Sequence, residues 1–246
     1  MSIDLTIAVI APSLLNTNGD AENARVLARR AEWAGASVRI VDVESPSDLP
    51  AVVDAFVIGS GSDSALVPAR DLLLGVQDRL RTAATDGVPI LAVGTGWELI
   101  SWGIERSIGG TVDGLGIVPG RAVPREGRVG GDLVVRSRHG RLVGFENHAR
   151  DYVGAEGSPL GRVEAEKGSG NGRASGQEGV VMGDVVGTHL HGPVLAKNPA
   201  LADHFLDTMF TRQGGSYVRS AHAAVVDEYA TAARNQILSA LGLELD

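Results

Sequence analysis

Short, continuous runs of apolar residues alternate, over the first hundred residues, with stretches whose apolar positions recur at helical spacing. The runs are typical of buried parallel strands, which we predict at residues 5–10, 37–43, 55–58 and 88–93. The stretches between them predict helices, one from Asp20 to Gly35 and one through Leu66, Leu72, Val76 and Leu80. This alternation predicts an α/β fold with a central, mostly parallel sheet and helices on both of its faces.

The pattern changes after about Gly109, where short strand-like runs are separated by turn residues. We predict strands at residues 117–118, 133–135, 142–145 and 180–186, as antiparallel pieces that continue the same sheet. The Gly/Ser-rich residues 166–178 predict a mobile surface loop. Two helices, at 199–212 and about 220–241, complete the chain. No repeat or linker interrupts it, so we expect one domain over residues 1–246.

The segment GVPILAVGTGWELISW, residues 87–102, joins a predicted strand to a predicted helix through a sharp turn of small residues. Such a layout is typical of a nucleophile elbow, in which the turn residue holds an unusual backbone angle and lifts its side chain toward backbone N–H donors. Gly94 stands at the elbow position. It has no side chain that could attack a substrate.

Composition narrows the function classes. The chain has 246 residues and a formal charge of −8, which argues against nonspecific binding of nucleic acid. It contains no cysteine, which excludes disulfides, zinc–thiolate sites and a thiol nucleophile. No apolar run approaches the roughly 18 residues of a membrane-spanning helix, and the first residues do not resemble a signal peptide. We therefore expect a cytoplasmic protein.

Several long motifs carry a family resemblance, and they occur in register from Ile7 to about Leu206. They read PSLLNTNGDAENARVLARRAEWAGASV, GSGSDSA, GFENHAR and GTHLHGPVLAKNPALAD. Together they resemble the glutamine amidotransferase subunits of lipid II isoglutaminyl synthases, a group within the cobyric-acid-synthase-like branch of class I amidotransferases.

The resemblance implies a flavodoxin-like fold and an elbow cysteine that attacks the carboxamide of glutamine. A histidine would act as its base, and backbone N–H groups would stabilise the oxyanion. The ammonia released would pass to a separate Mur-ligase-like subunit, which uses ATP to amidate the D-glutamate of the peptidoglycan stem. A heterodimer with such a subunit is therefore implied, and we expect neither a cofactor nor a metal ion.

Two positions depart from the family pattern and two agree with it. The family cysteine aligns with Gly94, and the glutamine beside the substrate aligns with Glu98. A carboxylate there would repel the α-carboxylate of glutamine and attract an amine or a cation instead; the alternative is a helix-surface residue favoured by the helix dipole. His191 matches the catalytic histidine, and Arg128 lies where the family has an arginine important for glutamine binding.

The glycine loop around Gly59 and Gly61 predicts an oxyanion or substrate pocket together with the backbone of Thr95, although a turn of small residues for steric reasons fits equally well. The hydroxyl of Thr95 is one position past the elbow and should point elsewhere. His189 should point away from His191 and be structural. Two further groups are predicted to have local roles: a helix cap with a loop near the site (Asn16, Asp20, Asn23) and a turn after a strand (Glu146, Asn147, His148).

These observations leave three functional hypotheses. The preferred one is a family member that does not hydrolyse glutamine and acts as a binding or scaffold partner of a Mur-ligase-like subunit. The second is an active glutaminase subunit whose cysteine at position 94 has been replaced by design. The third, and weakest, is a different hydrolase that uses Glu98 and His191 for acid–base chemistry on a new substrate.

Overall fold

The computed structural model describes residues 3–164, 168–172 and 174–246. Its strands are β1 (Asp4–Ile10), β2 (Ser37–Val43), β3 (Ala55–Ile58), β4 (Ile90–Val93), β5 (Gly103–Glu105), β6 (Thr111–Asp113), β7 (Arg121–Ser137), β8 (Gly140–Val153), β9 (Gly161–Val163), β10 (Gln177–Glu178), β11 (Val180–Met182) and β12 (Val185–Thr188). Its α-helices are α1 (Asn23–Trp33), α2 (Leu66–Gly75), α3 (Gln77–Thr85), α4 (Thr95–Ile100), α5 (Val194–Lys197), α6 (Pro199–Arg212) and α7 (Ala221–Ala240). Single 3-10 turns lie at Asp20–Glu22, Pro46–Asp48 and Asp63–Ala65.

The first sheet has the strand order β11-β12-β4-β3-β1-β2 and is parallel except for β11, which runs antiparallel to β12. The predicted α/β fold with a mostly parallel central sheet is therefore confirmed. The run at 180–186, predicted as one strand, folds back on itself to give both β11 and β12. Because β12 lies beside β4, the chain segments that leave their carboxyl ends meet at one edge of the sheet.

The second sheet corrects a prediction. The run at 180–186 does continue the first sheet, but those at 133–135 and 142–145 belong to a separate sheet, in the order β10-β9-β7-β5-β6, with β8 paired to β7. The runs at 133–135 and 142–145 are only the apolar middles of β7 and β8, whose remaining lengths are polar and carried no strand signal. Residues 117–118 lie in a bend and form no strand.

Helices cover both faces of the parallel sheet and form two apolar clusters with it. One cluster packs α2 and α3 against the sheet through Leu66, Leu73 and Leu80, and the other packs α1 and α6 through Leu27 and Phe205. The single helix predicted over Leu66 to Leu80 is two helices, which meet at Val76. In the described parts of the chain, no helix is both long and apolar enough to span a bilayer.

The segment at 166–178 is not simply the surface loop that its composition predicts. Ser169, Asn171 and Glu178 are buried, and the Asn171 side chain exchanges two hydrogen bonds with the backbone of Gly179. Small residues here permit close packing rather than only flexibility. Residues 166, 167 and 173 of this prediction lie outside the described residues.

Candidate active site at the carboxyl edge of the parallel sheet

The elbow forms where β4 ends and α4 begins. Gly94 has φ 53° and ψ −119°, a backbone conformation that costs a residue with a side chain about 1–3 kcal/mol and that glycine adopts without this strain. A Cβ atom placed on Gly94 would lie 2.6 Å from Ser60 Oγ and 2.7 Å from His191 Cε1. The backbone thus has the shape of a nucleophile elbow, and the missing side chain would point between a serine and a histidine.

His191 is held by a buried carboxylate. It is 1% exposed, and its Nδ1 lies 3.1 Å from Oδ2 of Asp20. The amide Nδ2 of Asn18 also lies 3.1 Å from this Nδ1. We assign the proton of neutral His191 to Nδ1, because the ionised carboxylate can only accept a hydrogen bond; Nε2 is then left as an acceptor, and the contact with Asn18 is not a hydrogen bond. That Nε2 is buried and has no hydrogen-bond partner among the described residues. An imidazole in this state can take a proton from a group placed beside it.

Asp20 does more than the local capping that its sequence context predicts. Besides His191, its carboxylate accepts the backbone N–H groups of Ser60 (3.1 Å) and Gly192 (2.9 Å). It therefore connects the glycine loop to the segment that carries the histidine. The sequence could not reveal this role, because Asp20 and His191 are brought together only by the order of strands in the sheet. Asn16 has a local role, since its Oδ1 accepts the N–H group of Ala21. Asn23 has a local bond, from its Nδ2 to the Asp20 carbonyl oxygen, and a long-range one, in which its Oδ1 accepts the N–H group of Leu195.

The glycine loop packs tightly against its neighbours. A Cβ atom on Gly59 would lie 2.1 Å from the Leu15 carbonyl oxygen, and one on Gly61 would lie 2.5 Å from that of Leu14. Steric need therefore accounts for both glycines, although Gly61 also lines the cavity and Gly59 does not. The Thr95 hydroxyl donates to the Gly61 carbonyl oxygen at 2.9 Å, so it is engaged with the loop.

Glu98 lies on the first turn of α4, 1% exposed, and faces the cavity. Its Oε2 accepts from Nε of Arg150 at 2.9 Å and lies 2.8 Å from Nη2, while Nη1 of Arg150 donates to Asp63 at 2.8 Å. Burial alone would lower the pKa of Arg150, but the two carboxylates raise it above its usual range. The guanidinium therefore compensates the charge of Glu98, which offsets the attraction for a cation expected from the sequence. Arg150 is the last residue of the motif GFENHAR, but the sequence alone gave it no role.

The residues Glu146, Asn147 and His148 belong to β8 and not to a turn, which corrects the prediction. They were misread because the strand continues through polar residues. Glu146 accepts the N–H groups of Ser169 and Gly170 at 2.9 and 3.0 Å. Asn147 and His148 both line the cavity.

Arg128 lies on β7, at the open side of the cavity. Its Nε donates to Oδ1 of Asn147 at 2.8 Å, and its Nη2 donates to the Asn147 carbonyl oxygen at 3.1 Å. Its side chain is exposed, so it is available to an incoming ligand. The long β7–β8 hairpin thus brings the cationic side chain of Arg128 to the rim of the cavity.

His189 lies behind the site and does not line the cavity. Its ring is fully buried, stacks on His148 with 4.0 Å between ring centroids, and lies 4.6 Å from Trp97. Burial and the nearby His148 lower its pKa, while Glu178 opposes that effect. The structural role expected for His189 agrees with this packing.

These groups enclose a cavity of about 300 Å³, a size suited to a small ligand. Its lining is mostly polar: Thr17, Asn18, Ser60, Gly61, Ser62, Asp63, Gly94, Thr95, Glu98, Arg128, Asn147, His148, Ala149, Arg150 and His191. Over the described ranges, no three His, Asp or Glu side chains gather in a way that would hold a metal ion.

Two solved structures share this fold. One is a glutamine amidotransferase with a TM-score of 0.54 and 20% identity, which covers 82% of this chain and 98% of that one. The other is PurLQS from Thermotoga maritima, with a TM-score of 0.56 and 16% identity, covering 84% and 98%. The architecture is therefore the flavodoxin-like α/β fold of glutamine amidotransferases.

The sequence relatives are closer. The GatD subunit of the glutamine-hydrolysing lipid II isoglutaminyl synthase of Staphylococcus aureus strain N315 is 32% identical over 214 residues, 86% of either chain. The corresponding GatD of Streptococcus pneumoniae R6 is 29% identical over 221 residues, 87% of this chain and 84% of that one. The model of the CobB/CobQ-like glutamine amidotransferase domain matches residues 6–199. The chain therefore belongs to the CobB/CobQ-like glutamine amidotransferase family.

Proposed function

We propose that this protein is a glutamine amidotransferase-like subunit of an enzyme related to lipid II isoglutaminyl synthase, and that it does not hydrolyse glutamine. The observation that carries the proposal is Gly94 at a well-formed elbow in a chain without cysteine. Covalent attack on a carboxamide needs a nucleophile within reach of a base. At the elbow, His191 has no thiol from which to take a proton.

The nearby hydroxyl and carboxylate do not replace the thiol. The Thr95 hydroxyl donates to a backbone carbonyl oxygen, and the Glu98 carboxylate is bound by Arg150. The hypothesis of a hydrolase that uses Glu98 and His191 therefore has no observation in its favour. We propose instead that the cavity binds glutamine or another small amino acid or amine without cleaving it.

The proposed role is that of a binding or scaffold partner in a heterodimer with a Mur-ligase-like subunit in cell-wall peptidoglycan synthesis. Its support is the extent of similarity to the GatD subunits, which covers 84–86% of their length and not only the site. Because the ligase reaction implied by this resemblance uses ATP, we also propose a cytoplasmic location.

The first experiment combines calorimetry with glutamine and an assay of ammonia release. We expect the chain to release no ammonia. If calorimetry shows that it binds glutamine, we expect the Arg128→Ala variant to lose that binding. Ammonia release that disappears in the His191→Ala variant would show that another nucleophile operates and that the proposal is wrong.

The partner role has its own test. The chain is co-expressed with a Mur-ligase-like protein of the same genome, and the mass of the product is measured by light scattering after gel filtration. We expect a one-to-one complex. Two separate species at micromolar concentration would contradict the scaffold role while leaving the loss of glutaminase activity intact.

The alternative is an active glutaminase subunit for cell-wall amidation whose cysteine at position 94 was replaced. The intact hydrogen bond between Asp20 and His191 favours it, since this pair is what a catalytic thiol would need. Reading the codon for residue 94 in the natural gene decides the matter. A glycine codon eliminates the alternative.

A further inference from the structure

We propose that Ser60 blocks the elbow. Its side chain occupies the space that a nucleophile at position 94 needs, and its hydroxyl accepts a hydrogen bond from the backbone N–H of Thr95, which would otherwise face a substrate oxygen. The inference rests on the proposed loss of glutamine hydrolysis and adds a second residue to it. Restoring a cysteine at position 94 would then not be enough to restore a reactive thiol.

Two atoms of the Ser60 side chain crowd the space beside position 94. A Cβ on Gly94 would lie 2.6 Å from Ser60 Oγ and 2.9 Å from Ser60 Cβ, and non-bonded carbon and oxygen atoms do not approach this closely. A rotation about χ1 moves Oγ but leaves Cβ in place. The backbone of Ser60 is itself tied down, because its N–H donates to Asp20.

The hydroxyl of Ser60 also engages the N–H group of Thr95. In a nucleophile elbow, the N–H of the residue after the nucleophile stabilises the oxyanion. Here that N–H donates to Ser60 Oγ at 3.3 Å, and Ser60 is only 6% exposed. The serine oxygen therefore stands where a substrate oxygen would accept, and acts as an internal ligand of the elbow.

His191 is the other close neighbour, with Cε1 at 2.7 Å from the same Cβ position. Its backbone N–H is bound by the Phe145 carbonyl oxygen at 2.9 Å, and its ring is held by Asp20. Proximity of an imidazole is what a catalytic thiol requires, so this contact is not the obstacle. Of the two neighbours, only Ser60 can be removed without dismantling the base.

The test uses the absence of cysteine from this sequence, because any introduced thiol reports on one site only. Gly94→Cys is compared with Ser60→Gly/Gly94→Cys and Ser60→Ala/Gly94→Cys by the rate of alkylation with iodoacetamide between pH 5 and 9. Ser64→Ala/Gly94→Cys is the matched control, since Ser64 is an exposed serine of the same loop whose hydroxyl contacts only Ser62 among the described residues. Circular dichroism checks that each variant is folded.

We expect Ser60→Gly/Gly94→Cys to react at least about tenfold faster near pH 6.5 than Gly94→Cys, because a thiol that can settle beside His191 has a pKa below the usual value near 8.5. The alanine variant keeps Cβ and should be intermediate. The Ser64 control should match Gly94→Cys. If Gly94→Cys alone has the rate and the pH profile of the double variant, Ser60 does not block the elbow.

A second measurement needs no cysteine and covers the case in which Gly94→Cys does not fold. Sodium formate is titrated into the natural chain and into Ser60→Gly, and the amide resonance of Thr95 is followed by NMR. We expect it to shift only in Ser60→Gly, where the N–H is free for a carboxylate oxygen; equal responses would refute the inference. Neither measurement depends on ammonia release by the natural chain, which alone decides the proposed loss of hydrolysis.

Discussion

The two walls of the cavity differ in what they retain. The imidazole wall, formed by Asp20 and His191, holds its imidazole through a buried carboxylate that also accepts the N–H group of Gly192. The elbow wall, formed by Ser60, Gly94 and Thr95, has the backbone shape of a nucleophile elbow but no side chain at position 94. One wall therefore holds its imidazole in place while the other lacks a side chain at its central position.

The difference has a physical reason. Asp20 accepts backbone N–H groups from two separate segments, so replacing it would leave buried donors without partners whether or not the site is catalytic. A side chain at position 94 would instead lower stability, because the backbone there has a positive φ that strains any residue except glycine. Asp20 therefore contributes to stability whether or not the site is catalytic, whereas replacing a strained residue at position 94 by glycine costs no stability.

The largest effect that sharpens this comparison is expected beside the elbow wall, at Arg150. Replacing it by alanine leaves the buried carboxylate of Glu98 without its cation, which should lower the free energy of unfolding by about 3–5 kcal/mol. Urea unfolding measures the change. Arg25→Ala is the control, since its ion pair with Glu22 is exposed and should be worth less than about 1 kcal/mol.

The double variant Arg150→Met/Glu98→Leu separates charge from packing. We expect it to recover most of the stability lost in Arg150→Ala, because an apolar pair carries no desolvation cost. If Arg150→Ala is no more destabilising than Arg25→Ala, then Glu98 is not held by this ion pair, and its carboxylate is free to act on a ligand.

A smaller effect is expected at the imidazole wall, from Asp20→Asn. The amide has one acceptor oxygen where the carboxylate has two, so at least one of its three donors loses its partner, at a cost of about 1–3 kcal/mol. Urea unfolding measures the cost, with the exposed Asp4→Asn as the control. Nitrogen NMR of His191 adds a readout of orientation, since the Nδ1–H tautomer should no longer dominate. An unchanged tautomer would mean that Asp20 does not orient the imidazole.

The smallest effect is a pH dependence of stability due to His189, which lies behind both walls. Burial and His148 lower its pKa in the folded state, so stability is fully present above the unfolded value near 6.5 and falls as the pH drops below it, by at most about 1.4 kcal/mol per pH unit. Unfolding at pH 7.5 and 5.5 should show a smaller difference in His189→Gln than in the natural chain. The exposed His222→Gln serves as control, and an equal slope in His189→Gln would contradict the assignment.

Much of the parallel sheet could be predicted from the sequence. The strands Ser37–Val43 and Ala55–Ile58 and the helix Pro199–Arg212 have the predicted bounds, because apolar residues in runs or at helical spacing leave a strong local pattern. Ala55–Ile58 is fully buried as expected, whereas Ser37–Val43 is mostly exposed or half-buried at the edge of the sheet. The β7–β8 hairpin was found only in fragments. Its outer positions are polar, and a strand supported mainly by its neighbour has no such pattern.

Some features of the candidate site could likewise be read from the sequence, and others could not. Gly94 at a strand-to-helix turn, the absence of cysteine and the family motifs are properties of the chain itself, and they determined that the elbow position has no side chain and no thiol. Only the tertiary structure decided which groups meet there. Strand order brings Asp20 to His191, β8 brings Arg150 to Glu98, and the glycine loop places Ser60 against Gly94. Such contacts join residues 34 to 171 positions apart in the chain, and a local pattern records nothing about neighbours at that separation.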